Sequence, residues 1–317
     1  MKYLITGITG FVGPHLAKLL LNKNHEIYGL YRQDPLPDFK NTIHFIKGDL
    51  TNKEDIDKIF NSHQFDGVFH LAGLTHIPTA FQFPIEAFQI NTFGTINICE
   101  AIQKFQPKCK LLFCSTGAVY GNKTFGFSIK ESFPINPSNP YEISKAAAEQ
   151  YVRYLTSHNK IQGCIVRPFS HTGPGRGHQF AISSDARQIA KIIQNLQPPI
   201  IKVGNLNAQR TIVDVRDIVK AYYMIMEKME QNQIINGDIF NIGGETVYTI
   251  GECLNKMLNM YQLKNVEIKI SSLLLRSIES PLIIPNCTKI KGFINWNPEI
   301  NINITLKDLV EYWLNKI

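Results

Sequence analysis

A glycine-rich segment directly follows the first apolar run of the chain. Residues 2–6 are mostly apolar, and Gly7, Gly10 and Gly13 then form a GxxGxxG pattern that leads into residues 11–22, whose apolar positions have helical spacing. Glycines at these positions permit a tight turn, close approach of the backbone to a pyrophosphate, and close helix–strand packing. The helix N-terminus adds free N–H groups and positive potential. The segment therefore predicts a dinucleotide-binding strand–turn–helix.

Strand and helix patterns alternate through the first half of the chain. Strands are predicted at 2–6, 26–31, 43–47, 67–72, 110–115 and 162–167, with helices at 11–22, 84–104 and 140–158. This alternation is typical of an α/β fold and predicts a Rossmann-type doubly wound parallel sheet with a smaller mixed α/β substrate-binding domain. A length of 317 residues suits about two domains. We expect the dinucleotide-binding domain at 1–168 plus 212–243, and the substrate-binding domain at 169–211 plus 244–317.

Composition narrows the class of partner. The net charge is +7, but no basic run exceeds two residues, so the sequence gives little support for nucleic-acid binding. No apolar stretch is long enough for a membrane span, and the first apolar run is too short for a signal peptide. The six cysteines form no CxxC pair and the histidines no metal-binding spacing. We therefore expect a cytoplasmic protein with reduced cysteines, no metal and no membrane or nucleic-acid partner.

The end of the second predicted strand bears on the choice of cofactor. An NAD-binding fold usually has a carboxylate there for the ribose hydroxyls. This chain instead has Arg32, which can pair with a 2′-phosphate, although a plain surface cation is the alternative. The residues therefore favour NADP(H) over NAD(H). Asp49, which follows the third predicted strand, can accept a hydrogen bond from the adenine amino group or serve only as a loop cap.

The segment Tyr141-Glu142-Ile143-Ser144-Lys145 is a YxxxK motif on a predicted helix. A spacing of four residues puts the phenol and the ammonium on one helix face. A neighbouring cation should lower the pKa of the phenol and let it exchange a proton near neutral pH. Ser115 and Thr116 leave a strand 25 residues earlier, and a hydroxyl there can align a substrate oxygen with Tyr141.

Together with His70-Leu71-Ala72 and the segment 91–95, these motifs follow the order found in the extended short-chain dehydrogenase/reductases that modify nucleotide sugars, and the chain resembles that family over essentially its whole length. The resemblance implies Thr116, Tyr141 and Lys145 as the catalytic set, with Ser115 as the rival hydroxyl. It also implies a homodimer formed through helices around 84–104 and 140–158. The predicted cofactor contacts are Gly7, Thr9, Gly10, Phe11, Val12, Gly13, Arg32, Asp49, Leu50, Leu71, Ala72, Lys145 and Arg167.

One departure from the family pattern is informative. The 4,6-dehydratases of this family have an acidic pair after the catalytic Thr, because elimination of water needs an acid and a base. Here those positions are Gly117 and Ala118, which cannot move a proton. The departure favours reduction at C4 of the sugar, or an epimerisation at C4, over dehydration.

The second half of the chain suggests the nucleotide. Segment 167–175, Arg-Pro-Phe-Ser-His-Thr-Gly-Pro-Gly, is similar to a motif of the GDP-mannose-type enzymes, although Ser170 replaces their usual Asn. Guanidinium groups suit a diphosphate, so Arg210 and Arg276 are candidates, with surface ion pairs as the alternative. The substrate contacts implied by the resemblance are Thr75, His76, Ser170, Arg187, Asn205, Arg210, Arg276 and Glu279.

These expectations combine into one prediction. The chain should carry out NADPH-dependent reduction of the C4 keto group of a nucleotide-linked 4-keto-6-deoxyhexose, with GDP preferred and dTDP as an alternative. The enzyme alternative is a nucleotide-sugar 4-epimerase with tightly bound NAD. Less favoured are a 4,6-dehydratase-like enzyme and a cofactor-sensing binding protein.

Overall fold

The computed structural model describes residues 1–32, 42–121, 127–234, 236–275 and 282–317. Its strands are β1 (Lys2–Thr6), β2 (Glu26–Tyr31), β3 (His44–Lys47), β4 (Gly67–His70), β5 (Lys110–Cys114), β6 (Gln162–Pro168), β7 (His171–Thr172), β8 (Ile200–Val203), β9 (Gln209–Thr211), β10 (Val213–Asp214), β11 (Ile239–Ile242), β12 (Val247–Thr249) and β13 (Glu267–Ile270). Its α-helices are α1 (Val12–Asn22), α2 (Lys53–Ser62), α3 (Ile77–Gln82), α4 (Pro84–Phe88), α5 (Gly94–Phe105), α6 (Pro140–Ser157), α7 (Ala181–Ile193), α8 (Val215–Glu230), α9 (Ile250–Met260), α10 (Thr288–Ile294) and α11 (Ile302–Leu314).

A seven-stranded parallel sheet forms the centre of the fold, in the order β11-β6-β5-β4-β1-β2-β3. The order reverses at β1, so the carboxyl ends of β1 and β4 lie at the topological switch point, where α/β sheets bind ligands. Most strand positions near the middle of the sheet are fully buried, because helices cover both faces. The predicted Rossmann-type architecture is confirmed.

Two apolar cores sandwich this sheet. One packs α1, α8 and α10 against one face, and the other packs α2, α5 and α6 against the opposite face. A third core unites α7, α9 and α11 with β8, and β13 pairs with β8 in a separate two-stranded sheet. Strand β11 returns late in the chain to join the central sheet beside β6. The exact division of the chain into two interleaved domains stays a prediction.

The predicted helix over 84–104 is interrupted in the structure. A π-helical turn, Gln89–Phe93, separates α4 from α5. It contains Asn91, whose side-chain amide donates to Ser144 Oγ at 2.9 Å and accepts from the Leu74 N–H at 2.8 Å. Such turns often occur where a side chain must be placed for function, and this one fixes α6 relative to the segment that follows β4. None of the helices in the described ranges combines the length and the apolar character needed to cross a bilayer.

Candidate active site

A cleft with a volume of about 440 Å³ opens at the carboxyl ends of the central strands. The glycine-rich turn forms one wall. Gly7 has a φ of +73°, and the Gly10 N–H donates to the Gly7 carbonyl at 3.0 Å, which closes a tight turn. A Cβ on Gly7 would lie 2.8 Å from the Ala72 nitrogen, and one on Gly13 would lie 2.5 Å from the Gly7 oxygen. Only glycine permits this close packing of turn, helix and neighbouring strand.

The first turn of α1 suits a diphosphate. Phe11 occupies the N-cap position without a side-chain hydrogen bond to the helix, and the first turn holds no acidic residue. Its backbone N–H groups therefore remain available to an anion, and the helix dipole adds positive potential. Of the predicted cofactor contacts in this part of the chain, Gly7, Gly10, Phe11, Val12, Gly13, Leu71 and Ala72 line the cleft. Thr9 is exposed in the same turn.

Arg32, Asp49 and Leu50 were also predicted as cofactor contacts. Arg32 is exposed just after β2. The carboxylate of Asp49 accepts hydrogen bonds from the Thr51 N–H at 2.9 Å and from its hydroxyl at 2.8 Å, which is the loop-cap arrangement. The Leu50 carbonyl accepts from Asn97. Neither Asp49 nor Leu50 lines the cleft in the described part of the chain.

Arg167 has a different place from the one predicted for a cofactor contact. It is 1% exposed, and its guanidinium donates to Glu149 at 3.2 and 2.5 Å, to the Tyr120 hydroxyl at 2.7 Å and to the Glu131 carbonyl at 3.2 Å. The sequence shows a conspicuous cation in a motif. The structure uses its donors inside the protein, because a buried guanidinium needs acceptors to offset its desolvation.

Helix α6 carries the phenol and the ammonium of the YxxxK motif. Asn139 caps the helix by accepting from the Glu142 N–H, and Pro140 occupies the first turn, where it is tolerated. Tyr141 and Lys145 lie one turn apart, are both buried, and both line the cleft. The helix therefore presents the two side chains together to the space beside the glycine-rich turn.

The two rival hydroxyls have separate partners. Thr116 Oγ1 accepts from the Ala118 N–H at 3.2 Å, and Thr116 lies near enough to the phenol of Tyr141 to lower its pKa. Ser115 Oγ instead donates to Glu149 Oε2 at 2.6 Å, in the buried polar cluster behind the cleft. This geometry favours Thr116 over Ser115 as the hydroxyl that works with Tyr141.

The phenol holds its proton more firmly than the sequence suggested. Burial raises the pKa of Tyr141 to about 12, and the hydrogen bond from Thr116 opposes this only in part. The expectation that Lys145 lowers this pKa toward neutrality is not met, because desolvation of the phenolate dominates. A phenol that keeps its proton throughout the neutral range is suited to donate it.

Lys145 is held in an unusual environment for an ammonium. It is 4% exposed, and its Nζ lies 4.5 Å from the ring centroid of Phe113. Burial lowers its pKa to about 8, while Cys114 and Glu149 oppose the shift. Among the described residues no oxygen accepts a hydrogen bond from this ammonium, so its donors are free for hydroxyls of a ligand in the cleft.

Residue 117 is closed to any side chain. A Cβ built on Gly117 would lie 2.8 Å from three ring atoms of Phe169. An acidic residue could not be accommodated there without displacing this buried ring.

Glu142 is the one acidic side chain among the described cleft residues, and its Oε2 already accepts from the N–H and the hydroxyl of Ser138. The described part of the cleft thus has no free acid–base pair for elimination.

The predicted substrate contacts separate into three groups. Thr75, Ser170 and Arg210 line the cleft. In the described part of the chain, three others do not line it: His76, Arg187 and Asn205. A ring nitrogen of His76 lies 2.8 Å from Thr79 Oγ1, and the guanidinium of Arg187 lies 5.6 Å from the ring of Trp313. Asn205 is exposed in the loop after β8. Arg276 and Glu279 lie outside the described residues.

Sequence reasoning missed a cation at the cleft. The guanidinium of Arg176 lies 4.8 Å from the ring centroid of Phe11 and 3.4 Å from that of Phe180. The ring of His171 stacks on Phe11, with the two centroids 5.8 Å apart. Burial lowers the pKa of Arg176 to about 10. All four side chains line the cleft. Arg176 belongs to no recognised motif, so only its placement beside the cofactor turn reveals it.

A buried polar chain ties the cradle to the interior. The ring nitrogens of His70 lie 2.7 Å from Thr6 Oγ1 and 3.0 Å from Thr95 Oγ1, and burial lowers the His70 pKa to about 3, so the ring is neutral. Thr95 donates to the Asn91 carbonyl at 2.6 Å, and Thr6 Oγ1 accepts from the Ala72 N–H at 3.2 Å. The chain is fully satisfied and therefore rigid. No group of His, Cys, Asp or Glu among the described residues is arranged to hold a metal ion.

A Rossmann-type sheet with a glycine-rich cradle beside a Thr–Tyr–Lys set defines an oxidoreductase of the extended short-chain dehydrogenase/reductase class. A family model described as GDP-mannose 4,6 dehydratase matches residues 4–309, and the chain belongs to that family. The family resemblance inferred from the sequence is confirmed.

Individual relatives cover the whole chain. GDP-6-deoxy-D-mannose reductase of Pseudomonas aeruginosa is 29% identical over 317 residues, which are 100% of this chain and 98% of the relative. CDP-paratose 2-epimerase of Salmonella typhi is 26% identical, and the match covers 100% of this chain and 100% of the relative. The solved structure of RMD from Pseudomonas aeruginosa complexed with NADPH is 28% identical, has a TM-score of 0.85, and covers 100% of this chain and 99% of its own.

Proposed function

We propose that this protein is an NADPH-dependent ketoreductase that acts on C4 of a nucleotide-linked 4-keto-6-deoxyhexose, with GDP as the preferred nucleotide. The observation that carries the proposal is the combination at the end of β5: Thr116 and Tyr141 both line the cleft, whereas Gly117 is packed under Phe169 where a dehydratase needs an acid. The similarity to GDP-6-deoxy-D-mannose reductase supports the same substrate class.

The cradle fits a dinucleotide. Backbone N–H groups around Phe11 and Val12 would hold the diphosphate, and the unpaired ammonium of Lys145 would hold ribose hydroxyls. Arg32 is the cation available for a 2′-phosphate, which makes NADP(H) the preferred cofactor and NAD(H) the alternative. When bound, NADPH supplies the hydride that adds to C4 of the sugar.

The protein's own part in the reaction is proton transfer and alignment. The Tyr141 phenol donates its proton to the oxygen at C4 as that oxygen gains charge, because its raised pKa keeps the proton available. The Thr116 hydroxyl, which lines the cleft with Tyr141, would orient the same oxygen. Lys145 supplies a buried positive charge that favours the charge developing on oxygen.

Two guanidinium groups of the cleft are candidates to bind the diphosphate of the nucleotide sugar. Arg210 and Arg176 both line the cleft, and a guanidinium binds phosphate oxygens through a planar fork. Thr75 and Ser170 add hydroxyl groups for the sugar. Ser170 is shorter than an Asn, so any contact that it makes would need closer approach or a bridging water.

Consumption of NADPH with GDP-, dTDP- and UDP-linked 4-keto-6-deoxyhexoses tests the proposal. We expect one NADPH oxidised for each sugar reduced, fastest with the GDP-linked substrate. Absence of turnover with all three substrates contradicts the reductase function. The epimerase relative makes the alternative specific: an epimerase should purify with tightly bound NAD and consume none, whereas a reductase should require added NADPH.

We also propose a homodimer that forms through the helices beside the cleft. Large apolar side chains are exposed there: Phe81, Phe83, Ile85, Phe93 and Ile143. An apolar patch of this size usually marks an interface. Light scattering on Phe93→Asp should give a smaller particle than the wild type, whereas Ile304→Asp, a matched exposed site on α11, should not. A wild-type monomer contradicts the dimer.

The free cysteines and the NADPH requirement suit a cytoplasmic location, which stays a prediction.

A further inference from the structure

Strand β13 is an exposed edge with an apolar character. It pairs with β8 alone, in a two-stranded parallel sheet, and all four of its residues are exposed. Ile268 is 39% exposed and Ile270 is 69% exposed, and the apolar stripe continues into Leu273, which is 92% exposed. Proteins usually protect such edges with prolines, bulges or covering elements, because an unpaired strand recruits another strand. The two charged residues, Glu267 and Lys269, alternate with the isoleucines and so lie on the other face of the strand.

The backbone of β13 has its free hydrogen-bonding groups on the outer side. The Glu267 N–H donates to the Pro199 carbonyl and the Ser271 N–H donates to the Val203 carbonyl, so the odd-numbered residues face β8. In a strand, alternate residues bond to opposite neighbours. Ile268 and Ile270 therefore direct their N–H and C=O groups away from β8, and no described residue hydrogen-bonds to them.

We propose that β13 pairs antiparallel with β13 of a second copy of this chain, with Ile268 opposite Ile268 at the two-fold axis. The outward N–H and C=O groups of Ile268 then bond reciprocally across the axis. Glu267 and Lys269 form an ion pair at 3.2 Å within one chain. In the proposed pairing Glu267 also faces Lys269 of the second copy, and by symmetry this contact occurs twice. The result is a four-stranded sheet that runs through both molecules.

The sequence Glu-Ile-Lys-Ile favours this register over those shifted by one or two residues. A shift by one residue places outward-directed backbone groups opposite inward-directed ones, so the reciprocal hydrogen bonds are lost. A shift by two residues places Lys269 opposite Lys269 or Glu267 opposite Glu267, which are like charges in direct contact. The self-complementary charges are what select a second copy as the occupant of this edge, rather than an unrelated strand.

This surface is distinct from the helix surface proposed for the homodimer, because it lies on the part of the chain that holds β8, α7 and α9. The inference does not depend on the catalytic proposal. Because the two surfaces are separate, a chain that uses both forms a larger assembly than one that uses either alone.

A charge swap tests the pairing and its register. We expect Glu267→Lys to weaken association through this edge about tenfold to a hundredfold, because two attractive cross-strand pairs become repulsive. Sedimentation or light scattering over a concentration series should therefore show a lower mass for this variant than for the wild type at the same concentration. Glu311→Lys, the same charge change at an exposed site on α11, is the matched control and should keep the wild-type mass.

The double variant Glu267→Lys with Lys269→Glu restores opposite charges in the same register and should recover the wild-type mass. Both positions are exposed, so a thermal melt is expected to show each variant folded. A wild-type mass that Glu267→Lys leaves unchanged overturns the proposal. A loss of mass that the double variant fails to restore also overturns it, because the antiparallel register predicts recovery.

Discussion

Glu149 lies one helical turn after Lys145 on α6, and its carboxylate receives two hydrogen bonds from Arg167, at 3.2 and 2.5 Å. The same carboxylate accepts from Ser115 at 2.6 Å. A single buried anion therefore connects the end of β5, which carries the hydroxyl loop, with the helix that carries the ammonium. The Arg167 guanidinium donates to groups within the protein, so we expect it to act on the cleft through Glu149.

Arg167→Met should destabilise the fold and leave cofactor affinity nearly unchanged. Breaking a buried ion pair from one side leaves an uncompensated charge and costs about 3–5 kcal/mol. Denaturant unfolding measures the loss, and fluorescence titration with NADPH measures affinity. The double variant Arg167→Met with Glu149→Met should recover part of the stability. A folded Arg167→Met protein that binds NADPH tenfold more weakly would restore the cofactor role predicted from the sequence.

The pH dependence of kcat/KM should report Lys145. Its pKa is lowered to about 8, so the ammonium is charged below that pH and loses its proton as the pH rises through it. Activity should therefore fall above about pH 8. The Tyr141 pKa of about 12 keeps the phenol protonated over this range, so the alkaline limb belongs to the lysine.

The variant Glu149→Gln tests whether Lys145 causes the alkaline fall in kcat/KM. Charged and titratable groups near the ammonium are Cys114 on β5, His70 on β4 and Glu149 on α6. Loss of the Glu149 charge removes an interaction that raises the lysine pKa, so the fall in activity should move to lower pH. A limb that stays in place in this variant contradicts the assignment.

Gly117→Ala should be destabilising by about 1–3 kcal/mol, because its Cβ would overlap the Phe169 ring. Adding Phe169→Leu should relieve part of the cost. Gly292→Ala is the control: nothing lies within 4 Å of a Cβ there, and the position is within α10, so this change should be neutral or slightly stabilising. A Gly117→Ala protein as stable as the wild type would show that the loop has room for the acid that dehydration needs.

Arg32→Ala should weaken NADPH binding about tenfold to a hundredfold, the range expected for one charge-assisted hydrogen bond to a phosphate. NADH binding should change little, because NADH lacks the 2′-phosphate. Lys18→Ala, an exposed cation on α1, is the control for net charge. Equal losses for NADPH and NADH, or none for either, would remove Arg32 from the 2′-phosphate site.

The central sheet was predictable because local patterns specify it. Residues 2–6 and 26–31 were predicted as strands and form β1 and β2 with the same bounds. The interrupted helix was not predictable, since the π turn is stabilised by contacts of Asn91 with Leu74 and Ser144, which are distant in sequence.

The candidate site shows the same division. The glycines, Tyr141 and Lys145 carry motifs, and the fold brings all of them to one cleft. The sequence has Arg167 in a motif and Arg176 in none, and so pointed to the wrong one of the two as the cation at the cleft. Their surroundings differ: Glu149 neutralises the first, while aromatic rings enclose the second. Three-dimensional contacts of this kind leave no periodic signal in the chain.

Transfer of deuterium from the cofactor to the sugar tests the central claim most directly. The enzyme is supplied with NADPH deuterated on the transferable position and with a GDP-linked 4-keto-6-deoxyhexose, and the product is analysed by mass spectrometry and NMR. We expect one deuterium at C4 of the sugar, and a rate lowered about a hundredfold or more in Tyr141→Phe, with Tyr154→Phe on the same helix unaffected. An unlabelled product, or full activity in Tyr141→Phe, would contradict it.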